Sequence, residues 1–177
     1  MAEPATLRLM AICGSLQKES SNLALLSGAA EMVPAGVELA LYDGIRHIPM
    51  FNPDAQASGN PAVVVDFVDR LAASDGLLIA SPEYAHGVPG SLKNALDWLV
   101  GCHDFGGIPV AMTASVPHES RGRFGLESLA HIVGVMGADV VSATAIVRGP
   151  SAADALQSVL DTLVEAARRH SQSHRDE

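Results

Sequence analysis

The stretch GSLQKESSN, Gly14–Asn22, sets three serines, a glutamine and an asparagine directly after the apolar run LRLMAIC. A turn needs one or two special residues, and a helix N-cap needs one. Ser21 or Asn22 alone would serve as that cap, which leaves a surplus of donors. Ser15, Ser20, Ser21 and Asn22, joined by the unpaired N–H groups and positive dipole end of the following helix, suit an anion of the phosphate type. The loop contains neither GxGxxG nor a GxxxxGK run, so it is neither a dinucleotide fingerprint nor a nucleotide P-loop.

A second stretch with chemical potential is SPEYAHGVPGSLKNALDWL, Ser81–Leu99. Pro82, Gly87, Pro89 and Gly90 restrict or free the backbone at chosen points and so present main-chain N–H and C=O groups. Such groups could pair with the edge of a planar heterocycle, with Tyr84 as an aromatic surface beside it; a plain connecting loop would read the same way. A third stretch, TASVPHESRGRFG, carries Arg121 and Arg123, which could meet the phosphates of an anionic co-substrate or lie solvated on the surface. Cys102, His103 and Asp104 are adjacent in GCHDFGG, but a nucleophile and its base normally meet through the fold, and no GxSxG elbow exists. The histidines lack metal-ligand spacing, and HESR at His118 lacks the second histidine of HExxH.

These stretches need elements to position them. Short apolar runs at Leu7–Cys13, Val37–Leu41, Gly76–Ala80, Ile108–Thr113 and Val140–Val147 read as strands buried on both faces. Between them, apolar residues recur at helical spacing: Leu26, Ala29, Ala30, Val33; Val64, Phe67, Val68, Leu71; Leu92, Ala95, Leu96, Leu99; Leu126, Leu129, Ala130, Val133; and Leu156, Val159, Leu160, Leu163. Strands alternating with helices predict an α/β domain: a doubly wound, five-stranded parallel sheet with helices on both faces, order 2-1-3-4-5. Ligands of such sheets bind at the carboxyl ends of the strands, where Gly14–Asn22, Ser81–Gly90 and Ala114–Gly122 all fall.

The totals bound the reading further. A chain of 177 residues with 48% apolar and 18% charged residues is expected to fold as one domain over residues 1–177, with a frayed polar tail from about residue 170. The net charge of −9 argues against nucleic acid or an anionic membrane as a partner. Two cysteines without CxxC spacing, no basic leader and no apolar run of about 18 residues predict a cytoplasmic protein.

GSLQKESSN followed by SPEYAHGVPGSLKNALDW resembles the NAD(P)H-dependent FMN reductase family, whose members include quinone, chromate and azo-dye reductases of flavodoxin-like fold. PMFNPD at Pro49–Asp54 and ASDGLLIASPEY at Ala73–Tyr84 are similar to family segments too. The resemblance implies that Ser15, Gln17, Ser20, Ser21 and Asn22, with the backbone around Leu23, hold the FMN phosphate. It implies that Pro82, Glu83, Tyr84, Ala85, His86 and Gly87 line the flavin ring and that Ser115 closes its far side. It further implies NADPH or NADH as co-substrate, a small-molecule electron acceptor such as a quinone, and a homodimer or homotetramer whose neighbouring subunit shapes the pocket. Two positions depart from the family pattern: Gln17 stands where arginine is common, and Ala85 where asparagine usually follows the tyrosine. An FMN-binding electron carrier, or a flavin-poor binding module of the same fold, remains as the alternative.

Overall fold

The computed structural model describes residues 6–100 and 105–173. Strands β1 (Leu7–Cys13), β2 (Val37–Tyr42), β3 (Gly76–Ala80), β4 (Pro109–Val116) and β5 (Asp139–Val147) form one parallel sheet in the order β2-β1-β3-β4-β5. The strand order expected from the sequence is the order observed. Around the sheet lie α1 (Ser21–Met32), α2 (Pro53–Ala57), α3 (Ala62–Ala72), α4 (Gly90–Trp98), α5 (Arg123–Val135) and α6 (Ala152–Ser173).

The apolar strands divide their side chains between two cores, because successive residues of a strand point to opposite faces. Met10, Ile12, Leu77 and Ile79 join Val64, Phe67 and Leu71 of α3, Leu92 and Leu96 of α4, and Leu126, Leu129 and Val133 of α5. Leu9, Ala11, Leu78 and Ala80 instead meet Leu26 and Ala29 of α1 and Leu156, Leu160 and Leu163 of α6. The central strand β3 is buried at every residue. None of the described helices is long and apolar enough to cross a membrane.

Three details differ from the pattern-based expectation. A 3-10 turn at Gly44–His47 and the short α2 fill the connection after β2. α2 starts at Pro53 because the Asn52 side chain accepts from the N–H of Asp54 at 2.9 Å, a local cap outside any apolar periodicity. β4 continues to Val116, since β5 runs beside it through Ser115 opposite Ile146 and Val116 opposite Val147. Ser115 therefore lies inside the last stretch of pairing in β4 instead of opening a loop. Finally, α6 runs through Ser173, so regular helix extends into the polar tail.

The segment after β2 is fastened to α4. Buried Asn94 accepts from the Phe51 N–H at 2.8 Å and donates to the Pro49 carbonyl at 2.9 Å. The Trp98 indole N–H donates to the same carbonyl at 2.9 Å, and the Phe51 ring meets Trp98 edge-on with centroids 5.2 Å apart.

Candidate functional site

Loops from the carboxyl ends of β1, β3 and β4 converge at one end of the sheet. The Gly14 N–H donates to the Ala80 carbonyl at 2.8 Å, and the Ser81 N–H to the Thr113 carbonyl at 2.9 Å, so the sheet ladder carries on into the loops. Glycine is required at position 14: a Cβ there would lie 2.8 Å from Ser81 Oγ and 3.1 Å from a Leu92 methyl.

In the first loop the cap is Ser20, not Ser21 or Asn22. Ser20 has extended backbone, and its Oγ accepts from the Leu23 N–H at 3.4 Å. Ser15 Oγ accepts from the Gln17 N–H at 3.3 Å. Ser15 and Ser20 are buried; the Ser15 hydroxyl keeps its hydrogen for another partner, whereas Ser20 Oγ also lies 3.9 Å from Cys13 Sγ. Asn22 is buried as well, with its Oδ1 accepting from the Ser115 N–H at 2.9 Å. The Asn22 oxygen thus ties the start of α1 to the end of β4, and only its amide hydrogens remain to offer a ligand. Gln17 is exposed. The pocket at the start of α1, about 450 Å³, is lined by Lys18, Glu19, Ser20, Ser21, Leu23, Ala24 and Ser27. Lys18 is thus the cation beside the cap, a residue that loop composition did not single out. First-turn amides, serine hydroxyls and an ammonium form a donor set that matches a phosphate.

In the second loop Tyr84 and Gly87 exchange both backbone hydrogen bonds, at 3.1 and 2.9 Å, around Ala85 and His86. Both central residues lie in the left-handed region, at φ 49° and 59°. This is a type I′ hairpin turn, which prefers Asn or Gly at such positions. The amides of Ala85 and His86 donate to no acceptor among the described residues. Tyr84 is exposed and Pro82 half-buried.

Glu83 lines the pocket beside the third loop, and its carboxylate is engaged by the protein itself. Its carboxylate accepts from the Gly125 N–H at 2.9 Å and contacts His86 Nδ1 at 3.1 Å, with only 12% of the side chain exposed. The Gly125 N–H holds its pKa below the ordinary value, with His86 and the Phe124 N–H adding to the effect and desolvation opposing it.

Between the second and third loops lies a pocket of about 300 Å³, lined in part by Pro82, Ser115, His118 and Arg121. The two arginines separate here. Arg121 faces the pocket, whereas Arg123 pairs with Glu127 at 2.8 Å and lies over the Phe124 ring at 5.3 Å. Cys102, His103 and Asp104 lie outside the described residues.

A model of the NADPH-dependent FMN reductase family matches residues 7–151. The NAD(P)H-dependent FMN reductase of Pseudomonas aeruginosa is 40% identical over 121 residues, which is 67% of this chain and 63% of that protein. The quinone reductase of Escherichia coli is 36% identical over 112 residues, 62% of this chain and 60% of that protein. The matches thus span less than two thirds of these relatives' length. Among solved structures, the flavoenzyme NAD(P)H:(acceptor) oxidoreductase FerB of Paracoccus denitrificans aligns with a TM-score of 0.79 at 25% identity, covering 93% of this chain and 98% of that one. With all three strand-end loops inside the matched region, the chain belongs to the NADPH-dependent FMN reductase family.

Proposed function

We propose that this protein is an FMN-containing oxidoreductase that uses NAD(P)H to reduce a quinone or another small oxidant. The observation that carries the reading is the distribution of unspent donors at the strand ends. Ser20, Ser21 and Lys18 line the pocket at the start of α1, and Ser15 stands earlier on the same loop. The free amides of Ala85 and His86 stand on the neighbouring loop. The first group suits the phosphate of FMN, the second the polar edge of its ring. The family match, and relatives named as FMN and quinone reductases, support the same assignment.

The chemistry that FMN supplies when bound is two-electron transfer from NAD(P)H to the acceptor. The chain's own residues bind and orient. Ser20 and the α1 amides would hold the phosphate, the Asn22–Ser115 bond keeps the start of α1 and the end of β4 in register, and Arg121 would meet the phosphates of NAD(P)H. Backbone donors at Ala85 and His86 would stabilise negative charge at the ring edge. Leu16, Tyr84 and Phe124 are exposed large apolar residues on the rim of segments that follow β1, β3 and β4, neighbours in the sheet. That rim supports a homo-oligomer in which a second subunit covers the site. A cytoplasmic place, among small-molecule partners, belongs to this reading.

An absorption spectrum of the purified protein with and without added FMN tests the assignment, followed by NAD(P)H oxidation with a quinone acceptor. Flavin bands that stay with the protein, and turnover, are expected. Colourless protein that takes up no FMN overturns the reading, and bound FMN without NAD(P)H turnover replaces the reductase with an electron carrier.

A further inference from the structure

The turn Tyr84–Gly87 holds a shape its own residues disfavour. Ala85 and His86 both sit at positive φ, where a Cβ crowds the backbone, so surrounding structure must impose the conformation. The contacts that impose it come from the second loop's own Glu83 and from the start of α5. Glu83 accepts from the Gly125 N–H with one oxygen, at 2.9 Å, and meets His86 Nδ1 with the other, at 3.1 Å. The His86 ring stands edge-on to Phe124 with centroids 4.7 Å apart. The approach is close enough to demand glycine: a Cβ on Gly125 would lie 3.0 Å from Glu83 Cβ and 3.2 Å from its Cα.

We propose that Glu83 is a positioning residue that clamps this turn to the first turn of α5 and thereby fixes where the free amides of Ala85 and His86 are presented. The clamp is defined by the protein alone. Its consequence for FMN rests on the function proposed above, in which those amides meet the ring edge. α5 begins just after Arg121 and Gly122, so one carboxylate also sets the second loop relative to the third. Glu83 acts through other groups and touches no reacting atom.

The test uses the full chain and three variants: Glu83→Ala, Glu83→Gln and Gly125→Ala. Gln keeps an oxygen that can accept from Gly125, whereas Ala at 125 drives the carboxylate away while leaving it intact. Without ligand, hydrogen exchange of the Tyr84 and Gly87 amides is expected to accelerate about tenfold or more in Glu83→Ala and Gly125→Ala, with β1 amides unchanged and Glu83→Gln near the parent. FMN affinity, read from flavin fluorescence, should weaken about tenfold or more in the same two variants and stay within about threefold in Glu83→Gln. Parent-like exchange of the turn in both disruptive variants overturns the clamp. So do equal losses in Glu83→Gln and Glu83→Ala, whereas faster exchange with unchanged FMN affinity overturns the consequence drawn for the amides of Ala85 and His86. If Glu83→Ala does not fold, Gly125→Ala against Glu83→Gln decides the same question. A parent that binds no FMN refutes the proposed function, and the exchange measurement still decides the clamp.

Discussion

Ala85 is a non-glycine residue at positive φ, at the tip of the second loop. Asparagine or glycine tolerates that region, whereas alanine does not. Replacing Ala85 with Gly is expected to stabilise the protein by about 1 kcal/mol, the strain relieved outweighing the added freedom of the unfolded chain, as read from chemical denaturation. The two arginines of the third loop make a second contrast. Arg121→Ala should raise the KM for NAD(P)H, and Arg123→Ala, already paired with Glu127, should not; an unchanged KM in Arg121→Ala would remove that residue from the co-substrate site. Ser15, Ser20 and Asn22 were legible as special from residue type and crowding alone. Their division of labour was not. Which serine caps the helix depends on backbone angles at Ser20, and the Asn22 oxygen is claimed by Ser115, 93 residues away. The Glu83–Gly125 bond escaped for the same reason, because the two residues are 42 positions apart.

At the scale of elements, strands were readable because burial on both faces writes a continuous apolar run, and long helices because one buried face writes a 3.6-residue period. Features set by a cap or a neighbour were not. α2 depends on Asn52, and the last residues of β4 depend on β5 lying alongside. Asn94 shows what such links contribute. Asn94→Ala would strand the half-buried Phe51 N–H and loosen the segment after β2, at a cost of about 2 kcal/mol in thermal or chemical unfolding. The tie between the second loop and α5 has a pH signature. The Glu83 pKa is held below its ordinary 4.5, chiefly by the Gly125 N–H, so its contribution is complete above that value and disappears as pH falls through the lowered pKa. Glu83→Gln should therefore lose less Tm than the parent as pH falls below 4.5, and parallel Tm curves would refute the link.

For the molecule as a whole, the alternation of strands and helices disclosed the topology, and the rule that ligands gather at carboxyl strand ends disclosed where to look. Because the site joins three loops from β1, β3 and β4, occupation should stabilise the entire fold. At a concentration one hundred times its Kd, FMN is expected to add about 2.7 kcal/mol. Riboflavin, lacking the phosphate, should add less at equal concentration. An equal shift in Tm from both would detach the α1 pocket from phosphate binding. The fastening of α4 to the segment after β2 has an optical consequence. Trp98 is the chain's one tryptophan, sealed from solvent and pinned to the Pro49 carbonyl beneath Phe51. All indole emission therefore originates at a single seam, and a red shift in that light would announce the parting of α4 from its neighbour without any added label.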